Sequence, residues 1–211
     1  MNRFRKAGFL AAGFVLAAGV SLFALDRLDK AYPPPLPEKL ALSTEMVDRD
    51  GALLRAFATP DGFWRFKADK ATVDQDLVKM LVAYEDRRFF NHHGVDPMAM
   101  GRAFLQFVRH GRIVSGGSTI TMQVARLIEP REERSLTFKL RQMARALQIE
   151  RRLSKDEILS LYLTLAPYGG NIEGVRAASL AWYGKEPKKL TLSESALLVA
   201  LPQSPEMRRP D

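Results

Sequence analysis

The sequence predicts a mostly α-helical domain that follows a small N-terminal β hairpin and an apolar N-terminal helix. Residues 7–25 contain no charged side chain. Turn signals at Asp50-Gly51 and Asp61-Gly62 separate short extended segments between Met46 and Phe66. Beyond residue 75, apolar residues recur at helical spacing and helix-capping sequences repeat. A chain of 211 residues, 46% of them hydrophobic, is long enough for one compact domain and an anchor.

The apolar segment 7–25 is predicted to be a transmembrane signal anchor. About 19 residues at roughly 1.5 Å each give about 28 Å of helix, close to the thickness of the bilayer core. Residues 22–24, Leu-Phe-Ala, form a poor cleavage site, which favours an uncleaved anchor over a removed signal peptide or a buried soluble helix. The basic residues of the tail 1–6 predict a cytoplasmic N-terminus and an outer catalytic part.

A proline-rich linker, residues 26–42, is predicted between the anchor and a domain at 43–211, because the run Tyr-Pro-Pro-Pro-Leu-Pro at 32–37 is stiff and extended. Within the domain, helical spacing from Leu77 leads to Glu85, and Asp96-Pro97 is a cap and first-turn pair for a second helix. The remaining predicted helices are 138–152, a helix from the Ser154–Glu157 capping box to Leu165, and 196–201 after the capping box at Thr191–Glu194.

The chain carries 32 Lys and Arg against 24 Asp and Glu, a net charge of +8. This excess suits lipid headgroups, pyrophosphate or nucleic acid. No nucleic-acid-reading motif accompanies the basic residues, so nucleic-acid binding is not expected. The absence of cysteine excludes disulfides, a thiol nucleophile and cysteine-bound zinc.

The stretch Glu85 to Gly94 places a carboxylate at a helix end among arginines, aromatic rings and imidazoles. Transfer of a sugar onto a hydroxyl group needs a base, and a carboxylate partly removed from water by Phe89 and Phe90 suits that task. In an alternative interpretation, Glu85 and Asp86 only pair with the two arginines that follow them. His92 and His93 lack the spacing of metal ligands and favour structural hydrogen bonding.

The second informative stretch is Gly116 to Gln123, a Gly-Gly turn followed by Ser118, Thr119, Thr121 and Gln123. These neutral groups suit sugar hydroxyls and phosphate oxygens, while Ser118 or Thr119 could also cap a helix. Farther on, Lys139, Arg145 and Arg152 share one broad helical face. That charge could hold a pyrophosphate or simply be solvated.

Together these motifs resemble the peptidoglycan glycosyltransferases of glycosyltransferase family 51, which polymerise lipid II outside the cytoplasmic membrane. The resemblance extends over residues 44–211 and implies a lysozyme-like fold. Glu85 matches the catalytic glutamate, which deprotonates the acceptor's 4-hydroxyl as undecaprenyl pyrophosphate leaves with inversion. The implied substrate-binding residues are Asp86, Phe89, His92, Gly116, Gly117, Ser118, Thr119, Thr121, Gln123, Lys139, Arg145, Lys155 and Tyr162.

This chain departs from the family pattern at several positions. In the Arg-Lys-x-x-Glu motif, Phe138 stands for arginine and Gln142 for glutamate, so a second acidic group is missing. Thr164 replaces an asparagine, and Met122 replaces the first glutamine of Gly-Gly-Ser-Thr-x-Thr-Gln-Gln. Met122 and the Arg-Gln pair at 141–142 look most like penicillin-binding proteins of the 1C type. Residues 197–211 resemble the sequence before the last helices of the domain, so its C-terminal helices are expected to be truncated.

The resemblance implies lipid II, nascent glycan strands and the cytoplasmic membrane as partners, with other cell-wall synthesis proteins as further candidates. No metal-ligand set is recognisable, and a requirement for Mg²⁺ or another divalent cation stays open. Two other functions compete with polymerisation. One is a non-catalytic, anchored module that binds lipid II or a scaffold, favoured by Gln142 and Thr164; the other is a glycan-cleaving enzyme of lysozyme-like fold.

Overall fold

A computed structural model describes residues 19–20, 23–24, 26–27, 29–36, 40–111, 117–130 and 135–208. The chain divides into two compact units, Met1–Pro35 and Leu36–Asp211. In the first unit, the described residues from Gly19 to Ala31 are helical. Among the described residues, no helix has both the length and the apolar character to cross a membrane. The predicted tail 1–6 and most of the predicted anchor 7–25 lie outside the described residues.

The predicted hairpin is present at the start of the second unit. Strands β1 (Thr44–Val47) and β2 (Leu53–Phe57) pair antiparallel, and the turn between them contains Gly51 at φ 81°. The third extended segment, residues 63–66, does not add to this hairpin. Strand β3 (Trp64–Arg65) instead pairs in parallel with the distant strand β4 (Ile172–Glu173). A parallel partner more than 100 residues away leaves no local turn signal, so spacing alone could not indicate it.

The rest of the second unit is helical, as predicted. The helices are α1 (Gln75–Glu85), α2 (Pro97–His110), α3 (Ile120–Ile128), α4 (Leu136–Glu150), α5 (Lys155–Leu165), α6 (Val175–Tyr183), α7 (Leu192–Ala200) and α8 (Pro205–Arg208), with 3-10 turns at Phe89–Asn91 and Leu201–Gln203. Both predicted capping boxes form, at Ser154–Glu157 and Thr191–Glu194. The Asp96 carboxylate accepts hydrogen bonds from the Met98 and Ala99 amides, so the predicted cap of α2 is also confirmed.

One hydrophobic core lies between α1, α3, α5 and α7. Its fully buried members include Leu77 and Leu81 of α1, Ile120 of α3, Ile158 of α5 and Leu198 of α7. Helix α1 packs on α7, and α3 packs on both α4 and α5. This packing brings the end of α1, the first half of α3 and the turn after α7 close together.

Thr164, where the family has asparagine, fixes the loop before α1. Its buried hydroxyl accepts a hydrogen bond from the Ala68 amide (3.1 Å) and donates to the Ala68 carbonyl (3.2 Å). The chain then passes very close to this residue. Gly174 has φ 84°, and a Cβ built there would lie 2.5 Å from the Thr164 carbonyl oxygen. The buried hydroxyl of Thr164 therefore has both a hydrogen-bond donor and an acceptor as partners.

Candidate active site

An open, polar cavity of about 690 Å³ lies where α1, α3, α4 and the turn after α7 meet. Its lining combines one carboxylate, two cations and several neutral hydrogen-bonding groups. The lining residues are Tyr84, Glu85, Ser118, Gln123, Arg126, Ser135, Phe138, Lys139, Gln142, Pro202 and Gln203. Four sequence-predicted site residues, Glu85, Ser118, Gln123 and Lys139, are therefore brought together with the substituted Gln142.

Glu85 is the last residue of α1, and its half-buried carboxylate is held by two amides. Gln123 Nε2 donates to Glu85 Oε2 at 2.8 Å, and Gln203 Nε2 donates to Glu85 Oε1 at 3.1 Å. The two aromatic rings that the sequence predicts beside Glu85 differ in burial. Phe89 is fully buried in the core, and Phe90 is 57% exposed.

The alternative pairing of both acidic residues with the following arginines is also not found among the described residues. Arg88 approaches Asp96 instead, at 3.5 Å, and Asp86 contacts His92. Glu85 thus faces the cavity with two neutral amide partners, and it forms no ion pair with another described residue.

Lys139 supplies a positive charge on the α4 side of the cavity. Its ammonium donates to Ser118 Oγ at 2.6 Å and to Gln142 Oε1 at 3.0 Å. Burial, and then the nearby positive charge of Arg126, lower the pKa of Lys139. Because both hydrogen-bond partners are neutral, the charge of Lys139 is oriented but not cancelled.

Arg126 is a cavity residue that the sequence analysis missed. It lies on α3, one turn beyond Gln123, with its side chain at the mouth of the cavity. The signal that could have identified it is its spacing. Residues i and i+3 share a helix face, so the residue three positions after Gln123 is expected to lie on the same face of α3.

Asp86 and His92 lie beneath the cavity rather than in it. The buried Asp86 carboxylate contacts His92 Nε2 at 3.0 Å and accepts a hydrogen bond from the Ile120 amide, also at 3.0 Å. Ile120 is the first residue of α3, so a negative charge here also complements the helix N-terminus. The side chains of Asp86 and His92 are 4% and 3% exposed. Neither residue lines the cavity, so we expect them to support the site, and the substrate contact that the resemblance implies stays a prediction.

Thr119 and Thr121 are likewise buried and bonded internally. Thr119 caps α3 through the Met122 amide and donates to the Gly94 carbonyl. Thr121 donates to Glu150 Oε1 at 2.6 Å. Capping is confirmed for Thr119, Ser118 lines the cavity, and phosphate contact by these hydroxyls stays a prediction.

Three further predicted residues are not among those that line the cavity. Lys155 pairs with Glu150 at 2.6 Å and lies 4.4 Å from the centre of the Phe89 ring. Tyr162 is 2% exposed in the core. Burial, and then the negative charge of Glu85, raise the pKa of the Tyr162 hydroxyl well above its ordinary value. The substrate contact that the resemblance implies for Phe89, Lys155 and Tyr162 stays a prediction.

The last predicted residues lie at the margin of the site or outside the described part. Arg145 pairs with Glu129 at 2.9 Å and donates to Gln148 at 2.8 Å, beside a neighbouring cleft. Gly117 approaches Met100 of α2 closely. Gly116 is outside the described residues. Within the described part of the chain, no group of three or more acidic or histidine side chains could hold a metal ion.

Comparison with known proteins gives consistent matches. The family profile described as Transglycosylase matches residues 50–211. Penicillin-binding protein 1C of Escherichia coli is 47% identical over 183 residues, which cover 87% of this chain and 24% of that protein. Penicillin-binding protein 1A of Pseudomonas aeruginosa is 39% identical over 176 residues, 82% of this chain and 21% of that protein.

A third relative, penicillin-binding protein 1A of Aquifex aeolicus, is 35% identical over 205 residues, which cover 96% of this chain and 28% of that protein. The chain therefore spans about a quarter of the length of these curated relatives. The predicted similarity to a 1C-type protein is confirmed by the first of them. With the family profile covering most of its length, the chain belongs to the transglycosylase family, that is, to glycosyltransferase family 51.

Proposed function

We propose that this protein is a peptidoglycan glycosyltransferase that polymerises lipid II into glycan strands, with Glu85 as the general base. The observation that carries this proposal is the cavity itself, in which one carboxylate and the cations Lys139 and Arg126 line a common space. A base and an anion-binding group are the two functions that transfer from a pyrophosphate donor requires.

In the proposed step, Glu85 removes the proton of the acceptor's 4-hydroxyl as that oxygen bonds to the donor's anomeric carbon. The bond from this carbon to the pyrophosphate oxygen breaks, and undecaprenyl pyrophosphate leaves with the electron pair. Attack opposite the leaving group inverts the anomeric centre. Lys139 and Arg126 would stabilise the charge that develops on the departing pyrophosphate.

Gln142 does not prevent this chemistry in the proposed mechanism. It cannot ionise, but its carbonyl holds the Lys139 ammonium at 3.0 Å. Among the described residues that line the cavity, Glu85 is the only carboxylate. We therefore propose a mechanism that depends on one acidic group.

The location of the reaction is part of the proposal. A single span at residues 7–25 would place the domain outside the cytoplasmic membrane, where lipid II, nascent strands and other cell-wall synthesis proteins are available. A cation such as Mg²⁺ stays a candidate cofactor. Polymerisation assays with Mg²⁺ and with EDTA test that requirement directly.

A non-catalytic lipid II-binding module is the second candidate, because Gln142 removes an acidic group of the family motif. Incubating the full chain in detergent with fluorescent lipid II, followed by gel separation of the products, distinguishes the two functions. Ladders of long strands support the proposal, whereas binding without any strands favours the module. Release of short soluble fragments from preformed sacculi would instead indicate a glycan-cleaving enzyme.

A further inference from the structure

Gln203 contacts the candidate base from a part of the chain 118 positions away. It ends the 3-10 turn Leu201–Gln203, directly after α7. Its Nε2 donates to Glu85 Oε1 at 3.1 Å, and its Oε1 accepts from the Tyr84 hydroxyl at 3.3 Å. An ionised carboxylate can only accept hydrogen bonds, so the amide nitrogen must face Glu85 and the carbonyl must face Tyr84.

The backbone that carries Gln203 is well anchored, although the side chain itself is exposed to the cavity. Leu201, two residues earlier, is fully buried in the core. Farther along, the Glu206 carboxylate accepts a hydrogen bond from the Gly170 amide at 2.8 Å, and Arg208 donates to the Ala200 carbonyl at 2.6 Å. These contacts hold the turn on both sides, so the Gln203 amide starts from a fixed point.

We infer that Gln203 is a positioning residue for the proposed transfer reaction, holding one oxygen of Glu85 while Gln123 holds the other. This inference rests on the proposed function. A free glutamate side chain loses rotamer freedom, at a cost in free energy, when it is fixed. Two amides anchored on different elements remove that freedom before substrate arrives, so the carboxylate is held in one orientation.

Neutral donors suit this task better than cations. An arginine or lysine would also orient Glu85, but an ion pair would weaken the carboxylate as a base. Each carboxylate oxygen has two acceptor sites. With one amide on each oxygen, an acceptor site remains on each for the hydroxyl proton of the substrate.

The test measures kcat and KM of the full chain on labelled lipid II for Gln203→Ala and Gln203→Glu. Gln203→Ala should lower kcat about tenfold and leave KM within about twofold, because misorientation of a base acts on the chemical step. Gln203→Glu should be slower still, because it places a second negative charge beside Glu85. Both variants should have the same melting temperature as the wild type. Met207→Ala, at a side chain that is 89% exposed, is the matched control and should behave as wild type.

A double-mutant cycle then asks whether Gln203 acts through Glu85. In the Glu85→Gln background, Gln203→Ala should have little further effect on the residual rate. An unchanged kcat in both Gln203 variants would overturn the inference, as would a raised KM alone or an equal loss in both backgrounds. If Glu85→Gln has no measurable rate, the kcat values of the single variants decide. They should decrease in the order wild type, Gln203→Ala, Gln203→Glu, and any other order would overturn the inference. A wild-type chain that makes no strands would overturn the proposed function instead.

Discussion

Lys139 carries a positive charge, and its hydrogen-bond partners among the described residues are neutral. Its ammonium donates to Ser118 and Gln142 in a partly buried position. A glutamate at position 142 would pair with the ammonium and reduce its attraction for an anion. The substitution that removes an acidic group from the motif therefore leaves the full charge of Lys139 available for a pyrophosphate.

We predict an alkaline limit to donor binding that is set by Lys139. Burial first, and Arg126 second, lower the pKa of Lys139, so the ammonium is lost at a lower pH than in free lysine. KM for lipid II should therefore rise as pH increases through that lowered pKa. Arg126→Gln removes the second cause, which raises the pKa of Lys139 and moves the limit to higher pH. Measuring KM between about pH 7 and pH 10.5 spans the transition.

Lys139→Arg is the control for this assignment, because a guanidinium does not titrate in that range. The alkaline rise in KM should then disappear. An identical rise in Lys139→Arg would assign it to another group.

At the scale of elements, Asp86 and Thr119 form hydrogen bonds between the stretch Glu85 to Gly94 and the stretch Gly116 to Gln123. Asp86 follows α1 and binds the first amide of α3, while Thr119 caps α3 and also donates to the Gly94 carbonyl. The caps of α3 and α5 could be predicted because capping depends on neighbouring residues. The burial of Thr121 and Tyr162 could not, because it depends on which helix faces pack together.

Asp86→Asn should destabilise the fold rather than remove a catalytic group. An asparagine whose oxygen takes the Oδ2 position still accepts from Ile120, but it places an NH2 group where Oδ1 contacts His92 Nε2 at 3.1 Å, and it removes the negative charge beside that ring. We expect a loss of about 2–4 kcal/mol in the free energy of unfolding, measured by urea denaturation. Asp76→Asn, at an exposed residue of α1, should change far less. Equal stability of the two variants would contradict the supporting role of Asp86.

Gly94→Ala should disrupt the close packing of the stretch Glu85 to Gly94 against α4. Gly94 has φ 87°, and a Cβ there would lie 2.7 Å from the Ala146 carbonyl oxygen. Gly62 has the same φ with open space around it. Gly62→Ala therefore measures backbone strain alone, about 1–2 kcal/mol. Gly94→Ala should lower the melting temperature clearly further, and a matching decrease in both variants would mean that the close approach is not required.

At the scale of the whole molecule, local signals in the sequence predict helices α1, α2, α4, α5 and α7 but not α6 or α8, and the arrangement of the helices follows only through resemblance. Helical periodicity and caps are local, so most helix limits fall within two residues of the structure. The pairing of β3 with β4 and the contact of Gln203 with Glu85 join residues more than 100 positions apart. No spacing rule reports such contacts, which is why the turn after α7 was absent from the predicted site.

The membrane topology is a prediction that rests on the N-terminal residues. The basic residues Arg3, Arg5 and Lys6 precede the apolar segment, so the N-terminus should remain in the cytoplasm. A periplasmic reporter fused after Asp211 should be active, and a cytoplasmic reporter at the same point should not. The opposite pair of results would contradict both the topology and an extracytoplasmic reaction on lipid II.

The most direct measurement compares Glu85→Gln with Glu186→Gln and wild type in polymerisation of labelled lipid II. Glu85→Gln keeps the size of the side chain but removes the ability to accept the hydroxyl proton, so the rate should decrease roughly 10²- to 10⁴-fold. Its melting temperature and lipid II affinity should change little. Glu186→Gln breaks one exposed ion pair with Arg176, which keeps its pair with Glu45, and should leave the rate unchanged. A wild-type rate from well-folded Glu85→Gln would contradict the assignment of Glu85 as the base.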